Sequence, residues 1–194
     1  GNHEAQYVHR PVFAWPQKLD RWSVKAMRRW EAEGTMRVAA SFLSEGRSYL
    51  VTHAGLAEPF WRQIIDAPPT SSDAAEALNA LARNDVVFAP GKMLNRVNPT
   101  VGPVWTDSAS ELVPGWRAAR AMPFSQIYGH STITDWVDPV APPSSLHDVL
   151  TIDHVFKHEQ IRIGDQKLVG IDPGHQAFPS LPWRSLVLEG KVEV

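Results

Sequence analysis

Three apolar runs in this chain end beside a glycine on a residue able to bind a metal or carry a proton. That repeated strand-to-turn arrangement limits the fold more than any other feature. Tyr49-Leu50-Val51-Thr52 leads into His53-Ala54-Gly55-Leu56, and Ile127-Tyr128 leads into Gly129-His130-Ser131. Leu168-Val169-Gly170-Ile171 leads into Asp172-Pro173-Gly174. Small residues let the backbone turn sharply at such strand ends, and a side chain there is held rigidly enough to serve as a ligand. Taken singly, His53 and His130 also fit as hydrogen-bonded structural histidines, and Asp172 to Gly174 as a plain turn.

Between these runs the pattern alternates between helical and extended periods. Leu19, Trp22, Ala26 and Trp30 recur at helical spacing, with Gly34 as the stop. Met36 to Leu43 and Ser48 to His53 read as two strands joined by Ser44-Glu45-Gly46-Arg47. Glu58 to Asp66 suits a short helix with Pro59 in its first turn. Asp73 and Glu76 form a candidate capping pair for an Ala-rich helix through Ala82. Phe88 to Thr106 and the Pro-rich stretch Asp138 to Ser145 read as loops, the first of them long enough to be functional. Phe124 to Tyr128 is a buried-strand candidate, and Ile161 to Ile163 with Lys167 to Ile171 form a hairpin around Gly164-Asp165. Trp183 to Leu188 and Val192 to Val194 are expected to pair around Glu189-Gly190. Helices and strands mixed in this order predict an α/β or α+β fold, and 194 residues without a linker make one domain.

Composition removes several function classes. The absence of cysteine excludes disulfides, thiolate metal sites and a cysteine nucleophile. A formal net charge of -2 carries no basic footprint, which disfavours nucleic acid as a partner. No apolar run reaches the length of a membrane span and no signal peptide is visible, so the expected location is cytoplasmic.

Gly1-Asn2-His3-Glu4 is the sharpest local signal, because an Asn carbonyl oxygen and a His nitrogen both suit borderline divalent metals. Alone, it also reads as a polar terminus. In sequence order, Asn2-His3, then His53 after a strand, then Gly129-His130 resemble the calcineurin-like metallophosphoesterase superfamily. Its signature runs D-x-H, GDxxD, GNH[DE], a His after a strand, and GH. Ile171-Asp172-Pro173-Gly174 and Ser185 to Leu188 are similar to the close of its phosphoprotein-phosphatase branch. Thr132 stands where many relatives carry a second His, which also points to that branch.

The resemblance implies half of a metallophosphoesterase β-sandwich with flanking helices, residues 1–194 forming a partial domain whose D-x-H and GDxxD strands are missing. It implies Asn2, His53 and His130 as ligands of the second metal, His3 as proton donor to the leaving group, and Glu4 as a support for that loop. Arg96 is a candidate substrate contact, because Asp107 stands where a phosphate-binding Arg is expected, with Arg117 as an alternative; Trp105 is another, because its loop is expected near the metals. The implied activity is that of a metal-dependent phosphatase, hydrolysing phosphate esters with a hydroxide activated by two metals and with His3 as general acid. The complete domain would take two divalent ions (Mn, Fe, Zn, Ni or Co), while this chain, with three neutral ligands, would hold at most one weakly. Implied partners are a phosphorylated substrate (phosphoprotein, dinucleotide polyphosphate or another phosphoester) and the missing N-terminal segment, in cis or in trans, since unpaired strand edges invite pairing. The alternative is a catalytically inactive binding or regulatory module of the same ancestry.

Overall fold

Along Tyr49-Leu50-Val51, Gln126-Ile127-Tyr128 and Leu168-Val169-Gly170, successive side chains fall on opposite faces, as the two-residue period of a strand requires. The computed structural model describes residues 1–9, 15–16, 18–137, 144–173 and 182–193. It is a mixed α/β fold built on one seven-stranded sheet of order β4-β5-β6-β3-β2-β1-β7. The strands are β1 (Ala39–Ser44), β2 (Arg47–Thr52), β3 (Ser125–Tyr128), β4 (Leu150–Asp153), β5 (His158–Ile163), β6 (Gln166–Gly170) and β7 (Lys191–Glu193). The helices are α1 (Asn2–Val8), α2 (Arg21–Ala32), α3 (Glu58–Gln63), α4 (Ser71–Ala80) and α5 (Val113–Ala119).

The three central strands, β2, β3 and β6, run parallel, and the outer strands pair antiparallel to their neighbours. One face is covered by helices. Leu50 packs there with Leu56, Phe60 and Leu78, and Trp116, Tyr128, Ile161 and Leu168 form a second cluster beside it. Each such side chain contributes about 1.5–3 kcal/mol on leaving water. The opposite face carries Tyr49, Ile127 and Val169, with Phe42, Val51, Ile171 and Leu186 packed around them.

The two sequence-predicted hairpins around Glu45-Gly46 and Gly164-Asp165 form where their turn residues place them. Helix α3 begins with Pro59 in its first turn, as expected. Residues 89–107 contain a single short helical turn, Lys92–Leu94, and are otherwise irregular. Two expectations change, at the α4 cap and at residues 182–190, and other features are new. Helix α2 forms, capped by Asp20 accepting from Trp22 N at 2.8 Å, yet none of its residues is buried and Trp22 is 64% exposed. Helix α4 is capped by Thr70, whose Oγ1 accepts from Asp73 N at 3.1 Å, so Asp73 lies inside the helix. Residues 182–190 form no strand: β7 pairs with β1, while Trp183 Nε1 donates to Ile171 O at 3.0 Å and Leu186 joins the apolar sheet face. Tertiary contacts override the local hairpin signal there. Helix α5 and strand β4 carry no clear period and were not anticipated. The Pro-rich loop expected at Asp138 to Ser145 lies mostly outside the described residues. Among the described residues, no helix is long and apolar enough to cross a membrane.

Candidate metal centre

Parallel pairing of β2 with β3 and of β3 with β6 puts three strand ends on one edge of the sheet, the place where open α/β sheets gather ligands. His53 follows β2, Gly129-His130 follows β3, and Asp172 follows β6. The ladder continues past the strands. Gly129 N donates to His53 O at 2.9 Å and Ile171 N donates to Tyr128 O at 3.0 Å. These bonds set the two histidines side by side, although 77 residues separate them.

The turn after His53 is held from several sides. Ala54 N donates to Pro103 O at 2.9 Å, and Gly55 N donates to Thr52 Oγ1 at 3.0 Å. The buried Gln126 side chain accepts from Leu56 N at 2.8 Å and donates to Leu56 O at 3.1 Å. Gly55 has φ +91, and a Cβ there would lie 2.5 Å from Leu112 Cδ2. Both backbone conformation and space therefore require glycine.

Helix α1 brings the third group. Asn2, at its first position and buried, places Oδ1 2.8 Å from His53 Nε2, and His53 Nε2 lies 3.2 Å from His130 Nδ1. A Cβ on Gly1 would approach His53 Cε1 to 2.7 Å, which explains the glycine of Gly1-Asn2-His3-Glu4. One proton on His53 Nε2, shared between Asn2 Oδ1 and His130 Nδ1, satisfies both contacts. By that assignment the proton of His130 sits on Nε2, which is buried and has no hydrogen-bond partner among the described residues. Burial, reinforced by the amino-terminal charge and the imidazoles of His130 and His3, pushes His53 down to about 3. Burial likewise pushes His130 down to about 4, against the opposing charges of Asp172 and Asp107. Both rings are therefore neutral at pH 7, as ligand imidazoles must be.

The donors fit a small divalent cation. Two ligands at about 2.1 Å from a metal and cis to one another are about 3 Å apart, and the two separations here straddle that value. The set stops at three neutral donors. Among the described residues, no group of three or more His, Cys, Asp or Glu is placed to hold a metal. Asp172, a carboxylate beside His130, uses Oδ2 to accept from His130 N at 3.1 Å.

The remaining sequence candidates divide into those beside the centre and those elsewhere. His3 stacks on Trp15 at 3.7 Å between ring centroids, and its charge acts on both His53 and His130. Trp15 Nε1 also donates to Asn2 O at 3.2 Å. Trp105 is buried, parallel to Trp15 at 6.5 Å and edge-on to His130 at 5.8 Å. Trp105 therefore reaches the centre as a wall. Glu4 Oε2 pairs with the Gly1 amino group at 3.0 Å, and burial is the largest influence on its pKa, outweighed by that amino group so that the net shift is downward. Asp107 caps the π-helical turn Ser108–Leu112 by accepting from Ser110 N at 2.8 Å. Thr132 Oγ1 donates to Thr134 O at 2.5 Å, closing the loop where a second His is found in the resembled family. Arg96 is exposed and lines a groove with Lys92, Val97 and Ser110 that includes none of Asn2, His53 or His130. Arg117 is exposed on α5. Trp15 and Gln126 were missed by sequence reading: a Trp in a short apolar stretch between prolines and a Gln in an apolar strand carry no positional signal until their partners are known.

Compared with known protein families, curated proteins and solved structures, the chain matches none.

Proposed function

We propose that this chain carries part of the metal-binding centre of a metal-dependent phosphoesterase of the calcineurin-like kind, with Asn2, His53 and His130 as ligands. The observation that carries the reading is the meeting of Asn2 Oδ1, His53 Nε2 and His130 Nδ1, from a helix and two strand ends, within 2.8 and 3.2 Å. Each of the three was expected as a ligand from sequence, and Asn2 Oδ1 and His130 Nδ1 both lie within hydrogen-bond reach of His53 Nε2.

A divalent ion bound there would supply activation of water and stabilisation of charge on a phosphoryl group. The chain's own residues have narrower tasks. Asn2, His53 and His130 present neutral lone pairs, and binding requires the shared proton to leave His53 Nε2. Trp105, edge-on to His130, and Trp15, stacked on His3, orient those two rings. His3, stacked on Trp15, would give a proton to a departing oxygen. Three neutral donors would leave the cation's charge uncompensated, so a site for two metals would need carboxylates from an additional segment, in cis or in trans. The half-sandwich fold of the family is part of the same proposal, the apolar face around Tyr49, Ile127 and Val169 being where a second sheet would pack.

The test is p-nitrophenyl phosphate hydrolysis with added Mn²⁺ by the chain alone and by its gene's full-length product. Activity in the longer protein, lost on His3→Ala or His53→Ala, supports the reading. Absence of activity and of bound metal in both would leave a non-catalytic module.

A further inference from the structure

The loop that follows His130 is held by a carboxylate to which the metal-centre reading gives no part. Glu159, in β5, is completely buried. Its Oε1 accepts from Tyr128 Oη at 2.9 Å and from Ile133 N at 3.0 Å, and its Oε2 accepts from Ile133 N at 3.1 Å and from Thr134 N at 2.9 Å. A carboxylate removed from water persists only where such partners take up its lone pairs.

Room for it is provided by Gly170, its partner across the β5–β6 pair. A Cβ on Gly170 would lie 2.8 Å from Glu159 Cγ, 2.9 Å from Oε1 and 3.0 Å from Tyr128 Oη. The donors bracket His130 in the chain, Tyr128 before it and Ile133 and Thr134 after it. His130 itself has φ +68, a backbone state that a residue with a side chain keeps only where its surroundings impose it. Gly129 N on His53 O, His130 N on Asp172 Oδ2 and Ser108 N on Ser131 Oγ fix the near side of the turn. Glu159 fixes the far side.

We propose that Glu159 is a positioning residue for His130: by holding Tyr128, Ile133 and Thr134 it imposes the left-handed turn that aims His130 Nδ1 at His53 Nε2. Its functional meaning rests on the metal-centre reading, whereas its effect on His130 does not. A carboxylate of purely local structural value would stabilise the loop and leave the imidazole where it is.

The test pairs Glu159→Ala with Glu159→Gln in the full chain. Gln keeps one oxygen for Ile133 N and Thr134 N while the Tyr128 hydroxyl turns to accept from its amide, so it should restore what Ala removes. Two readouts are taken: Mn²⁺ affinity, from the electron paramagnetic resonance of free Mn²⁺, and the His130 ring ¹⁵N resonances of the metal-free protein. Glu159→Ala should weaken Mn²⁺ binding about 10- to 100-fold, the usual reach of residues behind a ligand. It should also shift the His130 ring signals while the Trp116 indole signal stays in place. Unchanged His130 signals and unchanged affinity in folded Glu159→Ala would overturn the inference. Should the wild type bind no Mn²⁺, the metal-centre reading fails by itself and the metal-free His130 signals still decide this one. Should Glu159→Ala not fold, Gly170→Ala, which crowds the carboxylate without removing it, must move the same signals, and its failure to do so would equally overturn the inference.

Discussion

Acid should unfold this protein through two histidines, and the size of the effect follows from their burial. In an unfolded chain a histidine titrates near 6.5, while in the fold His53 and His130 are pushed down to about 3 and about 4. Between those limits the unfolded chain binds protons that the folded chain refuses. Stability is therefore complete above about pH 6.5 and falls as pH drops through the window toward 4 and then 3. From pH 7 to pH 5 each histidine removes about 2 kcal/mol, or about 4 kcal/mol together, a large share of the ordinary stability of a domain. The assay is urea unfolding of the chelator-treated protein at pH 7 and pH 5, followed by the fluorescence of its eight tryptophans. The double variant His53→Gln, His130→Gln supplies the reference, since all other groups titrate in both proteins. Wild type should lose about 4 kcal/mol more than the variant between the two pH values. An equal loss in both proteins, or His53 and His130 ring signals titrating near pH 6.5, would refute the reasoning.

Other expectations are simpler. Gly55→Ala forces a Cβ into the left-handed turn against Leu112, so it should cost about 1–3 kcal/mol in urea unfolding and weaken Mn²⁺ binding by displacing His53. Phe60→Ala empties a fully buried position under α3 and should cost about 3–5 kcal/mol, with the His130 ring signals unchanged. Thr70→Ala removes the α4 cap and should cost about 1 kcal/mol without altering metal affinity.

The elements most legible in the sequence were those with local causes. Glu45-Gly46 and Gly164-Asp165 specify hairpins because both turns need residues that accept positive φ, and all but Asp165 do so here. Pro59 starts α3 because its fixed φ suits the first turn. Where a partner was distant, local reasoning failed. Val192 was assigned to a strand facing Trp183 to Leu188, but it pairs with Phe42, about 150 residues earlier in the chain. Of the stripe Leu19, Trp22, Ala26 and Trp30, the last three lie in the helix and Leu19 precedes its Asp20 cap; Trp22 remains exposed, since periodicity reports a helix and not what covers it.

The same division runs through the candidate centre. The sequence named Asn2, His53 and His130 as ligands only through the resemblance that their ordered motifs carry, since each residue taken singly also fits a structural role. Which atoms meet was decided only by tertiary structure. Parallel pairing of β2 and β3 and the packing of α1 bring Nε2 of His53 between Oδ1 of Asn2 and Nδ1 of His130, across separations of 51 and 77 residues. Tertiary structure alone also set Arg96 in a separate groove and Trp105 against His130, and placed Glu159 behind the loop. A side chain's type and local period are properties of its own stretch of chain. The desolvation that neutralises an imidazole and the donors that surround a buried carboxylate belong to residues far away in sequence, and exist only once the sheet has closed around them.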